Sequence, residues 1–377
     1  MHHHQSSIFS SLLKVIPRYR FERMVAEHQG DYRVRHLRCW DQFVALLYAQ
    51  LAGCQGLREL EAGFNAHAER HYHLGVHAVK RSTLSDANET RPVALYESLF
   101  SWLLGQALPE DYDASEALQL IDSTTIPLNK ELFDWAHFRS TKSGVKLHMV
   151  YDPNADVPTY FTITPAKKND MKEAADLPIT PGADYVFDRA YNGYAWWQEL
   201  HDQGCRFVCR LKSSARFSFL EWRMPEGEGV LADDVIQLRD DACSAPLRRI
   251  VYHCSNRNKR LVFVTNDLAS PASEIAELYK QRWQIELFFK WIKQNLKIKK
   301  FLGTNENAVK IQIIVALIAY LIIRIIQQSL PPNISMKSLT DRIRATIFSR
   351  KTIPDLFKPP KIIPKNKQLN QLELIPC

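Results

Sequence analysis

Tyr279, Arg282, Glu286 and Lys293 follow one another at intervals of three, four and seven positions. On an α-helix those intervals place all four within about 60° of one face. Two cations and a phenol, groups suited to gripping phosphate, then share a stripe with a single carboxylate. Ile285, Phe289, Ile292 and Leu296 occupy the adjoining arc, which would dock the helix against a core and leave the polar stripe at the edge of a cleft. The same spacing also suits a plain surface helix with Arg282–Glu286 and Glu286–Lys290 ion pairs, each stabilising by about 0.3 to 0.5 kcal/mol.

Two aspartates upstream supply further carboxylates, and each ends a short apolar run. Residues 117–121 close on Asp122, followed by Ser123, Thr124 and Thr125; residues 184–187 close on Asp188, followed by Arg189, Ala190 and Tyr191. Runs of this kind, halted by polar residues, read as buried strands. A carboxylate there is costly to desolvate unless a cation compensates it, and a divalent ion is the usual compensator. Three carboxylates around one patch would hold two Mg²⁺ ions and suit phosphodiester chemistry. For either aspartate alone, a helix N-cap or a turn is the plainer account. Asp152, Asp233 and Asp234 are assigned that plainer role.

The fixed spacing of Tyr279, Arg282, Glu286 and Lys293 matches the signature of the insertion-sequence family four (IS-four) transposases. Asp188-Arg189-Ala190-Tyr191 resembles the family's second-aspartate motif, usually Asp-Arg-Gly-Tyr, with Ala190 in place of the more permissive glycine. Asp122-Ser123-Thr124 is similar to its first-aspartate segment, and Lys142, Gly144, Lys146, Leu147 and His148 resemble its Lys-x-Gly-x-Lys-Leu-His strand. The resemblance implies an RNase H-like fold and a catalytic triad of Asp122, Asp188 and Glu286. It also implies two Mg²⁺ ions, replaceable by Mn²⁺, with Asp122 bridging them and the other two carboxylates as outer ligands. Arg282 and Lys293 would hold phosphates near the cut and Tyr279 would bond to or pack on the backbone. Arg189, Lys142 and Lys146 would add DNA contacts. The implied reaction is nicking at the ends of a mobile element, followed by attack of the freed 3′-hydroxyl on DNA, in relatives often through a hairpin. A catalytically inactive DNA-binding descendant and a nuclease of the same fold without strand transfer stay open as alternatives.

The elements expected to position these residues fall into a mixed α+β arrangement. Residues 1–108 read as a separate helical DNA-binding unit, with an apolar periodic helix over 39–52 and a second over 56–64. Arg33, Arg35, His36 and Arg38 cluster before the first, and Lys80 and Arg81 lead into a short helix capped by Ser82 or Thr83. That lead suits either a DNA-recognition helix or a capped surface helix. Residues 115–328 read as the catalytic domain. Strands over 118–123, 145–151 and 159–164 form a meander; a helix near 171–175, the Asp188 strand, a helix over 195–203 and a strand over 207–211 follow. Asp188 and Glu286 lie 98 positions apart (286 − 188), room for an inserted β-rich subdomain over 213–270. Residues 329–377 are rich in Pro and Lys and read as an extended basic tail.

Composition agrees with this without being able to produce it. The chain has 377 residues, 46% of them hydrophobic, enough for a sizeable core. Its formal charge of +8 favours a polyanionic partner. The expected partners are double-stranded DNA, as terminal inverted repeats and target, and a second copy of the chain on paired ends. Seven cysteines include no CxxC pair, and Cys205 and Cys209 have no histidine placed to complete a zinc site. They read as reduced thiols of a cytoplasmic, nucleoid-associated protein. The apolar run over 311–326 is shorter than the about 20 residues a membrane span needs and is bracketed by Lys310 and Arg324. A buried helix is expected there, with no membrane partner.

Overall fold

The computed structural model describes residues 7–139, 142–168, 170–254 and 258–358, apart from the side chains of 137–139 and 142. In chain order the helices are α1 (Ile8–Leu13), α2 (Arg18–Glu27), α3 (Cys39–Ala52), α4 (Leu57–Asn65), α5 (His71–Leu74), α6 (Arg81–Thr90) and α7 (Val93–Ala107). A region of alternating elements follows: β1 (Leu118–Leu128), β2 (His137–Arg139), β3 (Lys142–Asp152), β4 (Val157–Pro165), α8 (Asp170–Ala174), β5 (Asp184–Phe187), α9 (Tyr194–Asp202) and β6 (Arg206–Arg210). Then come β7 (Phe217–Arg223), β8 (Val230–Leu238), β9 (Leu247–Cys254) and β10 (Lys259–Thr265), and finally α10 (Ala272–Gln281), α11 (Trp283–Asn295), α12 (Glu306–Gln328) and α13 (Met336–Thr346).

β3 lies antiparallel between β1 on one side and β4 and the short β2 on the other, while β5 runs parallel to β1 and β6 parallel to β5. This is the expected RNase H-like order. The central strands are covered on both faces, so their side chains divide by alternation. Val186 and Val208 point into the core shared with Ile275, Ile285 and Phe289 of α10 and α11. Tyr185, Phe187 and Phe207 point the other way, against Trp196, Trp197 and Leu200 of α9.

The inserted strands do not form a sheet of their own. β10 pairs antiparallel with β6, and β9, β8 and β7 follow, so the insertion lengthens the catalytic sheet to ten strands among the described residues. Asp233 and Asp234 are neither caps nor turn formers. They lie buried in β8 and pair across to Arg248 and Arg249 of β9, which is how buried carboxylates are ordinarily compensated. Asp152 does take the turn role, accepting the backbone N–H groups of Asn154 and Ala155 at 2.7 and 3.0 Å.

The helical N-terminal region departs from the sequence expectation of a separate unit. α12 is apolar on every side, and such a helix must be surrounded. It packs along α3, α6 and α7, and one continuous core runs from Ile8 through α12 to Leu356. Gln50 of α3 and Gln312 of α12 tie that core to the end of α11, because both side-chain amides donate to Lys297 O, at 3.3 and 2.7 Å, and Lys297 N donates back to Gln50 at 2.7 Å. α12 is long and apolar enough to cross a membrane by composition, but 83% of its most apolar stretch is buried inside the protein. Removing residues before Pro109 would expose many of its Ile and Leu side chains, at about 1.5 to 3 kcal/mol each. That exceeds the about 5 to 15 kcal/mol that holds a typical domain together. A chain beginning at Pro109 is therefore expected not to fold, which soluble yield and far-UV circular dichroism would reveal.

The segment expected to be an extended tail contains α13 before residues 359–377 are reached, and those lie outside the described residues. Ser335 caps the helix by accepting from Ser338 N, and Leu339, Thr340 and Ile343 are buried. The prolines flank this helix and none falls inside it, which is why it forms.

Candidate active site

β1 does not end at Asp122; it continues to Leu128. What ends is its neighbour. β5 pairs with β1 only as far as Ile121 opposite Phe187, so one step further Asp122 and Asp188 stand side by side where the two parallel strands part. Asp188 then caps the 3₁₀ turn Arg189–Tyr191, its carboxylate accepting from Arg189 N. The register of two parallel strands thus sets two carboxylates together at the carboxyl end of the sheet, where α/β proteins commonly build sites.

Glu286 arrives on the first turn of α11. The stripe belongs to two helices, with Tyr279 on α10, Glu286 and Lys293 on α11, and Arg282 at the junction in α-helical backbone conformation. The junction is closed by Arg282 N donating to Tyr279 O at 3.2 Å, an i−3 bond that tightens the turn. Ile285, Phe289, Ile292 and Leu296 are buried, as expected.

Arg282 joins the parts. Its guanidinium bonds Glu286 at the i, i+4 spacing and also reaches Asp122 Oδ2 at 3.2 Å, with its side chain 13% exposed. The surface-helix account foresaw the first pair and not the second. Lys293 donates to Thr124 Oγ1 and, at 3.3 Å, to Thr125 O, which pins α11 to the strand of Asp122. Tyr279 packs against Phe263, with ring centroids 4.8 Å apart and the planes tilted by 39°, and lies beneath the Arg282 guanidinium.

Burial pushes the Asp122 carboxyl up from 3.8 to about 6; Arg282 and the Ser123 N–H, which donates at 2.8 Å, oppose this, and the charges of Glu286 and Asp188 add to it. Asp122 thus feels the negative charge of both Glu286 and Asp188. Burial also pushes Tyr279 up to about 12, against the pull of Arg282, and pulls the Lys293 ammonium down, helped by Lys299.

Among the described residues no three His, Cys, Asp or Glu side chains form a ready-made metal cluster. The donor set nonetheless fits divalent cations, because hard carboxylate oxygens face one another around a cation already in place, the Arg282 guanidinium.

Asp170, which the sequence analysis passed over, supports Asp122 from behind. At the start of α8 it accepts from Ser123 Oγ at 2.7 Å and from Lys146 Nζ at 3.2 Å. His148 Nδ1 lies 3.5 Å away, and burial pulls this imidazole down to about 4. Lys146 and His148 pair with Thr125 and Ser123 across β1 and, two apart on a strand, share a face. Two basic residues on one buried face call for a counter-charge, and that was the signal available. Lys146 is thus held by a carboxylate. Asp170→Ala should strand a half-buried ammonium and cost about 1 to 3 kcal/mol, measurable as a lower urea midpoint.

The remaining expected contacts are scattered. Arg189 is exposed beside Asp188, and the side chain of Lys142 lies outside the described residues. Arg33, Arg35, Arg38, Lys80 and Arg81 are exposed. Arg35, Arg38 and Lys80 line one cleft of about 630 Å³ together with Arg18, His36 and His77. α6 begins at Arg81, with Lys80 as its cap residue, so neither Ser82 nor Thr83 caps it; Arg81 N is satisfied instead by Glu61 at 3.1 Å.

Residues 113–322 match the family model described as "Transposase DDE domain", and residues 4–77 match a domain of unknown function, DUF4372. A chain from Sinorhizobium fredii named as a transposase is 38% identical, over 76% of this chain and 82% of its own length. One from Geobacillus stearothermophilus, named as a transposase for an insertion sequence element, is 32% identical over 55% of this chain and 56% of its own. Among solved structures, a piggyBac transposase synaptic complex with hairpin DNA superposes with a TM-score of 0.45 at 10% identity, covering 94% of this chain and 81% of that one.

Proposed function

The chain belongs to the transposases with a DDE domain, and on that basis we propose that it moves an insertion sequence by cutting at the element's terminal inverted repeats and joining the freed 3′ ends to target DNA. Asp122, Asp188 and Glu286 are the proposed catalytic carboxylates. The observation that carries this is the contact of one guanidinium with Asp122 and Glu286, residues 164 positions apart (286 − 122) on a strand and a helix.

The same three carboxylates would hold two divalent ions, Mg²⁺ or Mn²⁺, which when bound activate an attacking hydroxyl and stabilise the leaving 3′-oxygen. The protein's part is placement. Ser123 N and Arg282 fix the Asp122 carboxylate, and Asp170, itself held by Lys146, accepts from Ser123 Oγ behind it. Lys293, tied to the same strand, offers positive charge at the rim for a phosphate on either side of the scissile bond.

The cleft lined by Arg35, Arg38 and Lys80 is the proposed grip on the element's end, with Arg33 and Arg81 nearby in sequence. Such binding should weaken with salt, by about 0.9 decades in affinity per decade of salt for each phosphate neutralised. Two copies working on paired ends, at the nucleoid in the cytoplasm, complete the proposal. The test is an assay of the full chain with Mg²⁺, linear DNA bearing the element and a supercoiled target. Excised element and joined product are expected. Cleavage without joining would instead make it a nuclease, and end binding without cleavage an inactive descendant.

A further inference from the structure

α11 presents two faces. At about 100° per residue, Glu286 and Lys293 fall on one side, and Gln284, Leu287, Phe288 and Trp291, at offsets of three, four and seven, fall on the side opposite. The second face borders a cavity of about 250 Å³, closed by Tyr151 at the end of β3, Asp156 in the turn between β3 and β4, Tyr320 of α12 and Met336 at the start of α13. Leu287, 50% exposed, stands at its mouth. Aromatic rings make the walls. Phe288 lies 4.9 Å from both Tyr151 and Tyr320, and Trp291 meets Tyr320 edge-on at 5.2 Å. Rings at these angles leave faces and edges on which another flat ring can pack.

The polar groups decide what such a ring must carry. Asp156 is already matched: Tyr151 and Tyr320 both donate to its Oδ1, the latter at 2.9 Å, and Arg324 Nη1 lies 3.4 Å from its Oδ2. Burial and the Asp156 charge push both phenols up, so they stay protonated as donors to that carboxylate. The Trp291 indole N–H is different. It is buried and has no hydrogen-bond partner among the described residues, a costly state for a donor. Four aromatic side chains beside a carboxylate would suit a cation. Here Arg324 has taken that role, and the group left over is a donor, which a cation cannot satisfy.

We propose that this cavity binds a small, uncharged, flat aromatic molecule carrying one hydrogen-bond acceptor, with its ring packed among Tyr151, Phe288 and Tyr320 and its acceptor taking the Trp291 N–H. A mostly apolar hollow with one placed polar group is the usual form of a small-molecule site. This one lies behind the helix of Glu286 and includes none of the residues assigned to cutting or joining, so it stands apart from the strand-transfer proposal.

The experiment measures binding to the full chain by ligand-observed saturation-transfer NMR, with three probes of one shape. Quinoline, uncharged in neutral buffer, has an acceptor nitrogen; naphthalene lacks it; N-methylquinolinium replaces it with a cation. Quinoline should bind, naphthalene about tenfold more weakly for want of the Trp291 bond, and N-methylquinolinium more weakly still. Trp291→Phe, which keeps a ring and removes the donor, should lower quinoline to the naphthalene level and leave naphthalene unchanged. Met336→Trp, which fills the cavity from a partly exposed position, should abolish binding of both with the circular dichroism spectrum unchanged. Quinoline that fails to bind the wild type, or binds Met336→Trp equally well, would overturn the proposal. So would a preference for N-methylquinolinium, which would make the cavity a cation site, or naphthalene bound as tightly as quinoline, which would leave the indole N–H to water.

Discussion

Asp122→Asn should abolish metal-dependent strand cleavage, by on the order of 1,000-fold or more, while leaving binding to the element's ends unchanged. The size follows from the several kcal/mol of transition-state charge stabilisation that a metal ligand makes available. A second readout separates a metal-binding role from a structural one. The Asp122 carboxyl stands at about 6 in the folded protein, against an ordinary 3.8, chiefly because it is buried. An acid raised in this way favours the folded state when protonated, so its contribution is present below about pH 4 and lost as pH rises through about 6. The difference is worth at most about 3 kcal/mol. In chelator at pH 7, Asp122→Asn should therefore unfold at a higher temperature than wild type, and the gap should close by pH 4. Added Mg²⁺ should stabilise the wild type and not the variant. Cleavage by wild type should decline below pH 6, since the ligand must be deprotonated. Retained cleavage in Asp122→Asn, or a variant less stable than wild type at pH 7 in chelator, would remove Asp122 from the site.

The two aspartates and the stripe stood out because apolar runs and helix spacing are local properties, although β1 runs on past Asp122 to Leu128. The apolar runs before Asp122 and Asp188 mark β1 and β5, and the burial of Ile285, Phe289, Ile292 and Leu296 follows from helical period alone. Relations between elements were not legible. Nothing local says that β5 stops one residue short of Asp122, which opens the site. The helix break at Arg282 escaped notice because its backbone stays helical and no glycine or proline marks it. Asp170 was hidden because α8 is five residues long and carries no period.

The N-terminal helices illustrate a further limit. α3 was placed with its observed ends, yet its partner α12 lies more than 250 positions later. Both are strongly apolar, and hydrophobic burial is not directional. Their sequences show that each must be covered without showing by what. The inserted strands were likewise identified as strands, but an extension of the existing sheet and a separate sheet have the same local pattern.

Arg282 and Lys293 provide the remaining decisive comparison, because both are basic, both are bonded to β1 at or just after Asp122, and they do different things. Arg282 touches two carboxylates and is nearly buried. Arg282→Ala should leave Asp122 and Glu286 facing each other without compensation, lowering stability in chelator by about 1 to 3 kcal/mol, and Mg²⁺ should restore part of the loss by taking the cation's place. Lys293 touches a hydroxyl and a carbonyl, not a carboxylate. Lys293→Ala should cost less than about 1 kcal/mol and give no such recovery. If both side chains grip the scissile backbone, the two variants should converge in catalysis. A phosphate misplaced by about 1 Å costs on the order of 100-fold in rate, and the deficit should be greatest after the first nick, when the strand must be held for the second attack. The measurement is single-turnover cleavage on intact and pre-nicked ends, alongside thermal unfolding with and without Mg²⁺. Wild-type rates in both variants would reduce the stripe to an ion-paired helix face, whereas slow cleavage in Lys293→Ala with near-normal stability would assign that side chain to the DNA.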